Sequence, residues 1–360
     1  MLRPLERPEL IGIPGFDEHE VVLKIEDGNV GLRGFIALHN TNLGTAVGGT
    51  RMYPYASERE ALEDVLRLSR VMTYKCAMVG VPHGGGKGVI IGDPATGKTE
   101  ALLQAYARAV NELHGRFYTG EDVGLAEADV RLMLQHSPYF IGKPGLAGDP
   151  SPYAALSTFY AMQTIARLRF GSDDLRGRSV AIKGVGKVGS ELARLLVEAG
   201  AKVAIADINP LAIKAVTDKF PAVKIVAPAA IHQETADLYA PCALSSEFTP
   251  TTMRAVRARV ICGAANSQLA DDSVGDWFWQ ESIAYVPDYV ANAGGLINVV
   301  DELEEGGYQH RRVLERINQV RQTVADIFQL SAKRRESPHR VADLLAEHIF
   351  KNLPPTHIIA

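Results

Sequence analysis

The sequence has few cysteines, few tryptophans and no excess of charge of either sign. Three cysteines in 360 residues exclude a disulfide-built scaffold. With 38 Lys and Arg against 42 Asp and Glu, the formal net charge of -4 gives no basic surface for nucleic acid. No apolar run approaches the roughly 20 residues that cross a membrane, and the first residues lack the apolar segment of a signal peptide. We therefore expect a cytoplasmic globular protein without nucleic-acid or membrane partners, and we assign it no metal site.

The first third of the chain alternates short strands with helices. The apolar runs 20–25 and 34–39 predict strands, and Val89-Ile90-Ile91 predicts a short buried one. Ser57 is a candidate N-cap for a helix, and Glu100 to Leu113 predicts a second helix. The length and a hydrophobic content of 46% predict about two domains.

A change of pattern marks the second domain. From Ser179 onward, short apolar strands alternate with helices, which predicts a parallel sheet covered on both faces. Glycines and prolines cluster over residues 141–151, so we divide the chain into an α/β domain at 1–145 and a dinucleotide-binding domain at 146–334. A helix within 335–360 is a candidate to return to the first domain.

The second domain contains a glycine fingerprint, Gly184-Val185-Gly186-Lys187-Val188-Gly189. Gly184 permits a tight turn, Gly186 lets a pyrophosphate approach the backbone, and Gly189 allows close packing of helix on strand. Asp207 lies 23 positions after Gly184 at the end of the next strand, where a carboxylate binds ribose hydroxyls and repels a 2′-phosphate. This pattern predicts an NAD site; the alternative is a glycine-bearing helix start in an ordinary α/β domain.

A second phosphate-binding pattern competes with the first. Residues 92–99, Gly-Asp-Pro-Ala-Thr-Gly-Lys-Thr, fit the loop of P-loop ATPases, and residues 298–302 imitate an acidic magnesium-binding strand. The two segments flank an intact dinucleotide-binding unit, so one compact nucleotide domain cannot easily hold both. The alternative interpretation is a polar loop in which Gly97 makes a turn and Thr99 caps the next helix.

Charged residues of the first domain occur where burial would normally exclude them. Lys75 ends an apolar helix, Lys87 lies within Gly84-Gly85-Gly86-Lys87-Gly88, and Asp122 follows an extended run. We interpret the glycines around Lys87 as a loop that leaves its ammonium pointing into open space. Each residue alone is more typical of a surface charge than of a catalyst.

Taken together, the motifs resemble the glutamate/leucine/phenylalanine/valine dehydrogenase superfamily, and within it leucine dehydrogenase and its phenylalanine and valine relatives. The resemblance covers residues 30–305 and rests on seven motifs in order: residues 48–52, 72–75, 85–87, 121–124, 184–189, 264–266 and 287–295. It implies two α/β domains with a cleft between them, assembly into a homo-oligomer through the first domain, and NAD-dependent conversion of an L-α-amino acid to a 2-oxo acid and ammonia.

The resemblance also implies roles for particular residues. Lys75 would bind the substrate carboxylate with help from Gly48 and Gly49, Lys87 would polarise the carbonyl or activate water, and Asp122 would exchange protons with the amino group. Ala240, Cys242, Asn266 and Asn292 would contact NAD beside the fingerprint and Asp207. Val47, Gly120, Leu296 and Val299 match apolar pocket positions of the family.

Two positions depart from the family pattern, Ala154 and Leu125, which replace threonines. The apolar pocket residues favour a branched-chain substrate. Gly120, where leucine dehydrogenases tend to carry alanine, leaves room for an aromatic one, so a phenylalanine-type enzyme is the alternative. A P-loop ATPase and a non-catalytic NAD-binding protein remain as alternatives from other classes.

Overall fold

The protein consists of two compact units. The structure is a computed structural model that describes residues 2–243 and 247–351. Its first unit comprises the residues up to Asp149, the segment Asn298–Gln309 and the chain from Ala346 onward; its second comprises Pro150–Ile297 and His310–Leu345. The predicted organisation as two α/β domains is confirmed.

A seven-stranded mixed sheet forms the centre of the first unit. Its order is β1-β2-β3-β6-β4-β7, and β5 also pairs with β6. The strands are β1 (Leu2–Pro4), β2 (Val21–Asp27), β3 (Leu32–Asn40), β4 (Ala46–Val47), β5 (Thr50–Tyr53), β6 (Gly84–Ile91) and β7 (Phe117–Tyr118). β6 runs antiparallel to β3 and parallel to both β4 and β5, so it lies inside the sheet.

Helices cover both faces of this sheet, and side-chain caps fix where the two longest begin. They are α1 (Arg7–Leu10), α2 (Glu58–Met78), α3 (Glu100–Asn111) and α4 (Glu127–Met133). The hydroxyl of Ser57 accepts from the Glu60 backbone N–H, as the capping pattern predicts. Thr99 likewise caps α3 by accepting from Leu102 N–H.

The glycine-rich segment before Val89 is not a loop. β6 begins at Gly84, and all eight of its residues are buried, Lys87 among them. The prediction of a loop over 84–88 is wrong because these glycines serve the packing of neighbouring elements on the strand and do not form a turn. Lys87 therefore lies on a central strand, opposite Ala37 of β3.

The second unit contains a wholly parallel six-stranded sheet in the order β10-β9-β8-β11-β12-β13. The strands are β8 (Ser179–Lys183), β9 (Lys202–Ala206), β10 (Lys224–Ile225), β11 (Leu238–Pro241), β12 (Val260–Ile261) and β13 (Ala284–Tyr285). The chain order reverses between β8 and β11, and ligands of such sheets bind at that point, beyond the carboxyl ends of the strands.

The remaining helices all begin after residue 150. They are α5 (Ser151–Phe170), α6 (Lys187–Glu198), α7 (Pro210–Thr217), α8 (Asp272–Gln280), α9 (Asp288–Ala291), α10 (Gly294–Val300), α11 (His310–Arg334) and α12 (Pro338–Lys351), with 3₁₀ turns at Ile231–Gln233, Met253–Ala255 and Asp301–Leu303. The predicted acidic strand over 298–302 is therefore wrong, since α10 and the last 3₁₀ turn occupy it.

Two late segments complete the first unit by direct hydrogen bonds. The side-chain amide of Asn298 donates to Ala147 O at 2.9 Å, and Glu302 Oε1 accepts from Lys143 N at 2.8 Å. At the end of α12, the Glu347 carboxylate accepts from the Tyr74 hydroxyl at 2.8 Å. The part of the 335–360 prediction beyond Lys351 lies outside the described residues.

None of the helices in the described part of the chain is long and apolar enough to span a membrane. The three cysteines, all within that part, are free thiols: Cys76, Cys242 and Cys262.

Candidate active site

An ion pair joins two of the predicted catalytic residues in the first unit. The ammonium of Lys87 contacts Asp122 Oδ2, and both side chains are largely shielded from solvent. The other oxygen of Asp122, Oδ1, accepts from the Val123 backbone N–H at 2.6 Å. The structure thus brings together two of the three predicted catalytic residues, which are 35 positions apart.

Strand pairing brings the two side chains together. Thr50, the first residue of β5, pairs with Gly88 on β6 and also forms a bridge with Glu121. β5 therefore lies between the strand that carries Lys87 and the segment that carries Asp122. Thr50 N donates to Gly120 O and Met52 N donates to Val123 O, both at 2.9 Å. Asp122 is therefore held from both sides by backbone bonds to one neighbouring strand.

The glycines beside Lys87 admit close neighbours. A Cβ at Gly85 would overlap the backbone nitrogen of Thr73 on α2, and one at Gly88 would overlap the hydroxyl of Tyr106 on α3. Lys75 on α2 is 7% exposed and lies two residues after Thr73. Lys87 on β6 likewise lies two residues after Gly85, the glycine that contacts Thr73. The space that we expected glycine to leave open for the ammonium is thus occupied by the helices that pack on the strand.

Charge around Asp122 keeps it ionised. Burial alone would raise the pKa of Asp122, but Lys87 and Arg51 outweigh burial and hold it well below its usual range. Arg51 Nη2 lies 3.6 Å from Asp122 Oδ1, and Arg51 Nη1 contacts Asp64 Oδ2 at 3.0 Å. Sequence reasoning missed Arg51 and Asp64. Arg51 lies within residues 48–52, one of the motifs that carry the family resemblance, whereas nothing in the sequence around Asp64 singled it out.

Of the predicted substrate-binding residues, Gly49 lies against the ion pair. A Cβ on Gly49 would approach the Asp122 Cβ at 3.0 Å, so glycine there makes room for the carboxylate. Gly48 N donates to Tyr118 O, and this bond makes the Gly48 N–H unavailable to a substrate carboxylate. Val47 is fully buried in β4.

Two of the predicted pocket residues, Leu296 and Val299, lie one turn apart on α10. Val299 contacts the position of a Gly142 Cβ at 3.6 Å. A Cβ on Gly120 would lie 2.7 Å from the carbonyl oxygen of Ile141. The expectation that Gly120 leaves room for an aromatic substrate is wrong, because backbone already fills the space that its missing side chain would occupy.

The fingerprint glycines of the second unit have three different surroundings. Gly184 has a φ of 92°, and a Cβ there would lie 2.8 Å from the Cys242 carbonyl carbon. A Cβ on Gly189 would overlap Gly184 O, whereas a Cβ on Gly186 would meet nothing within 4 Å. These are the tight turn, the close helix packing and the open backbone approach that the pattern predicts.

Other predicted cofactor residues surround this turn. Val185 N donates to Asp207 Oδ2 at 2.7 Å, which fixes the carboxylate beside the glycines. Lys187 is exposed and Val188 half-buried in the first turn of α6, while Ala240 is buried at the end of β11 beside β8.

A second group of predicted cofactor residues lies beyond β12. Asn292 Nδ2 donates to Asn266 Oδ1 at 2.8 Å and to Ala264 O at 3.0 Å. Asn292 Oδ1 is buried without a hydrogen-bond partner among the described residues. A buried oxygen without a hydrogen-bond donor is suited to accept a hydrogen bond from a bound ligand.

The competing phosphate loop serves another purpose. Lys98 Nζ donates to Asp129 Oδ2 at 2.7 Å and to Gly124 O at 3.1 Å. The lysine that a P-loop would direct at phosphates therefore anchors the turn that follows Asp122. Thr99 caps α3, as the alternative interpretation of this segment predicts.

Replacing Lys98 by methionine tests this assignment. We expect the free energy of unfolding to fall by about 1–3 kcal/mol, because Asp129 and the Gly124 carbonyl lose a charged donor. Denaturant unfolding measures this loss, and Lys24→Met is the control because the glutamates with which Lys24 pairs, Glu26 and Glu58, are exposed. Phosphate release from ATP by the native protein that disappeared in Lys98→Met would contradict the assignment.

One of the two departures from the family pattern has a local explanation. Leu125 is 7% exposed and packs in the apolar core with residues of α3 and α4, so a threonine would place a hydroxyl there. Ala154 O accepts from the hydroxyls of Ser157 and Thr158 in the first turns of α5, and nothing in the structure explains why alanine stands there in place of threonine.

Comparison with known proteins gives concordant matches. Residues 18–139 match the model for the Glu/Leu/Phe/Val dehydrogenase dimerisation domain, and residues 209–346 match that for Glutamate/Leucine/Phenylalanine/Valine dehydrogenase. Leucine dehydrogenase of Geobacillus stearothermophilus is 43% identical, and phenylalanine dehydrogenase of Thermoactinomyces intermedius 44%, each over 93% of this chain and 92% of the relative. The crystal structure of L-tryptophan dehydrogenase from Nostoc punctiforme superposes with a TM-score of 0.77 at 37% identity, over 93% of this chain and 96% of that one.

Proposed function

Because this chain belongs to the Glu/Leu/Phe/Val dehydrogenase family and is an amino acid dehydrogenase, we propose that it oxidatively deaminates a branched-chain L-α-amino acid with NAD. The products are the 2-oxo acid, ammonia and NADH. The observation that carries the proposal is the buried pair of Lys87 and Asp122, in the same unit as the buried Lys75. Lys75 and Asp122 complement the carboxylate and the ammonium of an amino acid zwitterion, and Lys87 supplies a second cation for the oxygen charge that develops during the reaction.

In this proposal each charged residue has one task. Lys75 binds the substrate carboxylate. Asp122, which Lys87 and Arg51 keep ionised, faces the substrate ammonium; because the lowered pKa also makes it a weak base, it takes the ammonium proton as Lys87 turns from Asp122 to a water molecule. Lys87 then holds the water that attacks the imine carbon, and stabilises the developing oxygen charge of the carbinolamine. Asp122 returns its proton to the nitrogen, both protons of the attacking water pass to solvent as the carbonyl forms, and the C–N bond breaks to release ammonia.

The residues of the second unit fit a dinucleotide. NAD, when bound, accepts the hydride from the substrate α-carbon. The exposed backbone at Gly186 and the N-terminus of α6 are suited to its pyrophosphate. Asp207 is suited to the ribose hydroxyls and repels a 2′-phosphate, which favours NAD over NADP. The unpartnered Asn292 Oδ1 is suited to a hydroxyl or carboxamide donor.

Two further points concern substrate and assembly. Val47, Leu296 and Val299 are apolar, and the backbone beside Gly120 removes the argument for a larger pocket there, so an aliphatic side chain is favoured over an aromatic one. The match of residues 18–139 to a dimerisation domain supports a homo-oligomer.

A panel of L-amino acids tests the proposal. With NAD at alkaline pH, NADH absorbance should grow fastest with leucine, valine or isoleucine, more slowly with phenylalanine and not with glutamate. NADP should support slower turnover at equal concentration, and ATP alone should release no phosphate. Turnover led by phenylalanine or tryptophan would replace the aliphatic assignment. Binding of NAD without turnover of any amino acid would make the protein a non-catalytic NAD-binding protein.

A further inference from the structure

The Asp122 carboxylate lies between two cations. Oδ2 contacts the Lys87 ammonium, and Oδ1 faces Arg51 Nη2 at 3.6 Å. The Arg51 side chain is 11% exposed, and its Nε has no hydrogen-bond partner among the described residues. A buried guanidinium with an unsatisfied N–H costs free energy, so its place beside Asp122 is not explained by stability alone.

Asp64 binds the other side of Arg51. Its Oδ2 accepts from Arg51 Nη1 at 3.0 Å and from the Tyr55 hydroxyl at 2.7 Å, and its Oδ1 contacts Arg67. Asp64 lies on α2 and Arg51 on β5, so the pair joins the helix to the strand next to the ion pair. Burial alone would raise the pKa of Asp64, but Arg51 and Arg67 lower it more, so Asp64 is an anion.

Arg51 is thus shared between two carboxylates, one at the candidate site and one outside it. We infer that the Arg51–Asp64 pair positions the Asp122 carboxylate for proton transfer, with Asp64 holding the Arg51 guanidinium and Arg51 facing Asp122 Oδ1. This inference rests on the proposed function. The two residues touch neither substrate nor cofactor in it; they act through Asp122.

The two members of the pair should act in the same direction. Loss of the Arg51 charge removes the cation that faces Asp122 Oδ1, and loss of the Asp64 charge removes the anion that holds Arg51 there, so both changes should lower kcat for amino acid oxidation. A merely structural role would lower stability without a selective loss of kcat at an unchanged KM. The charged and titratable groups that face Asp122 directly or through Arg51 are Lys87 of β6, Arg51 of β5, Asp64 and Arg67 of α2, Tyr55 before α2, and the adjacent Glu121.

The experiment compares kcat and KM for oxidation of one amino acid at one alkaline pH by native protein, Arg51→Gln, Asp64→Asn and Arg51→Lys. We expect kcat to fall about 10–100-fold in Arg51→Gln and about tenfold in Asp64→Asn, with KM within about threefold of native in both. Arg51→Lys keeps the charge and should retain a kcat within about fivefold of native.

A kcat within about twofold of native in both Arg51→Gln and Asp64→Asn, or a rise in KM that matches the fall in kcat, would overturn the inference while leaving the amino acid dehydrogenase intact. Native protein that turns over no amino acid would overturn the proposed function and the inference with it. Thermal melts check folding. If Arg51→Gln does not fold, a lowered kcat at native KM in Asp64→Asn with a kcat within about fivefold of native in Arg51→Lys supports the inference, and any other combination overturns it.

Discussion

Lys87→Ala should lower kcat for amino acid oxidation by about 10³–10⁴-fold and leave NAD affinity within about twofold of native. The large loss follows from removal of the only charged group that contacts Asp122 Oδ2 among the described residues. NAD affinity is preserved because the fingerprint lies in the other unit. Steady-state NADH formation gives kcat, and calorimetric titration gives the NAD dissociation constant.

The variant should still fold, which makes the comparison meaningful. Without Lys87, Asp122 keeps the Val123 N–H and the facing Arg51, so its charge is not left uncompensated. Lys24→Ala is the matched control, since Lys24 is a lysine on a strand of the same sheet that pairs with Glu26 and Glu58. An equal loss of turnover and NAD affinity in Lys87→Ala, or a loss below tenfold, would contradict the assigned role.

Alanine at Gly186 and at Gly189 should have opposite consequences, although the two glycines are three residues apart. A methyl group on Gly189 overlaps the Gly184 carbonyl oxygen, so we expect the free energy of unfolding to fall by about 2–4 kcal/mol. A methyl group on Gly186 meets no atom within 4 Å, so stability should change by less than about 1 kcal/mol. NAD affinity should nevertheless fall at least about tenfold in Gly186→Ala, because the methyl group stands where a pyrophosphate approaches.

Chemical unfolding and NAD titration separate the two effects within one pair of variants. Gly200→Ala serves as the control for added methyl groups at a positive φ far from the fingerprint turn, and it should lower stability without a specific loss of NAD binding. Native NAD affinity in Gly186→Ala would show that the pyrophosphate lies elsewhere, and the assignment of the fingerprint would then fail.

The sequence predicted the second unit better than the first because its signals are local. The positive φ at Gly184, the N-cap at Gly186 and the packing of Gly189 on the Gly184 carbonyl all lie within six residues, although Cys242 also packs against Gly184 and Gly189. By contrast, Gly85 and Gly88 are explained by Thr73 and Tyr106, which are distant along the chain. From the sequence alone the run of glycines therefore indicated a loop, because the residues that pack closely against those glycines were not known.

The candidate site was predicted by its charged members but not by their surroundings. Lys87 and Asp122 stand out because charge in an apolar context is unusual. The role of Arg51 depends on the pairing of β5 with β6 and the bridge between Thr50 and Glu121, which no local pattern encodes. Gly120 was misjudged for the same reason, since only the fold brings Ile141 O against it.

The division of the first unit into three stretches of chain has a consequence for synthesis on the ribosome. The stretch up to Asp149 emerges first, yet Asn298, Glu302 and Glu347, which bond to it, are made after most of the second unit. The second unit is also completed by a late segment, His310–Leu345, but that segment is made before the chain from Ala346 onward that the first unit requires. We therefore expect the first unit, which begins to emerge first, to complete its fold last. Until its late segments are made, it is the part of the chain that needs protection from aggregation.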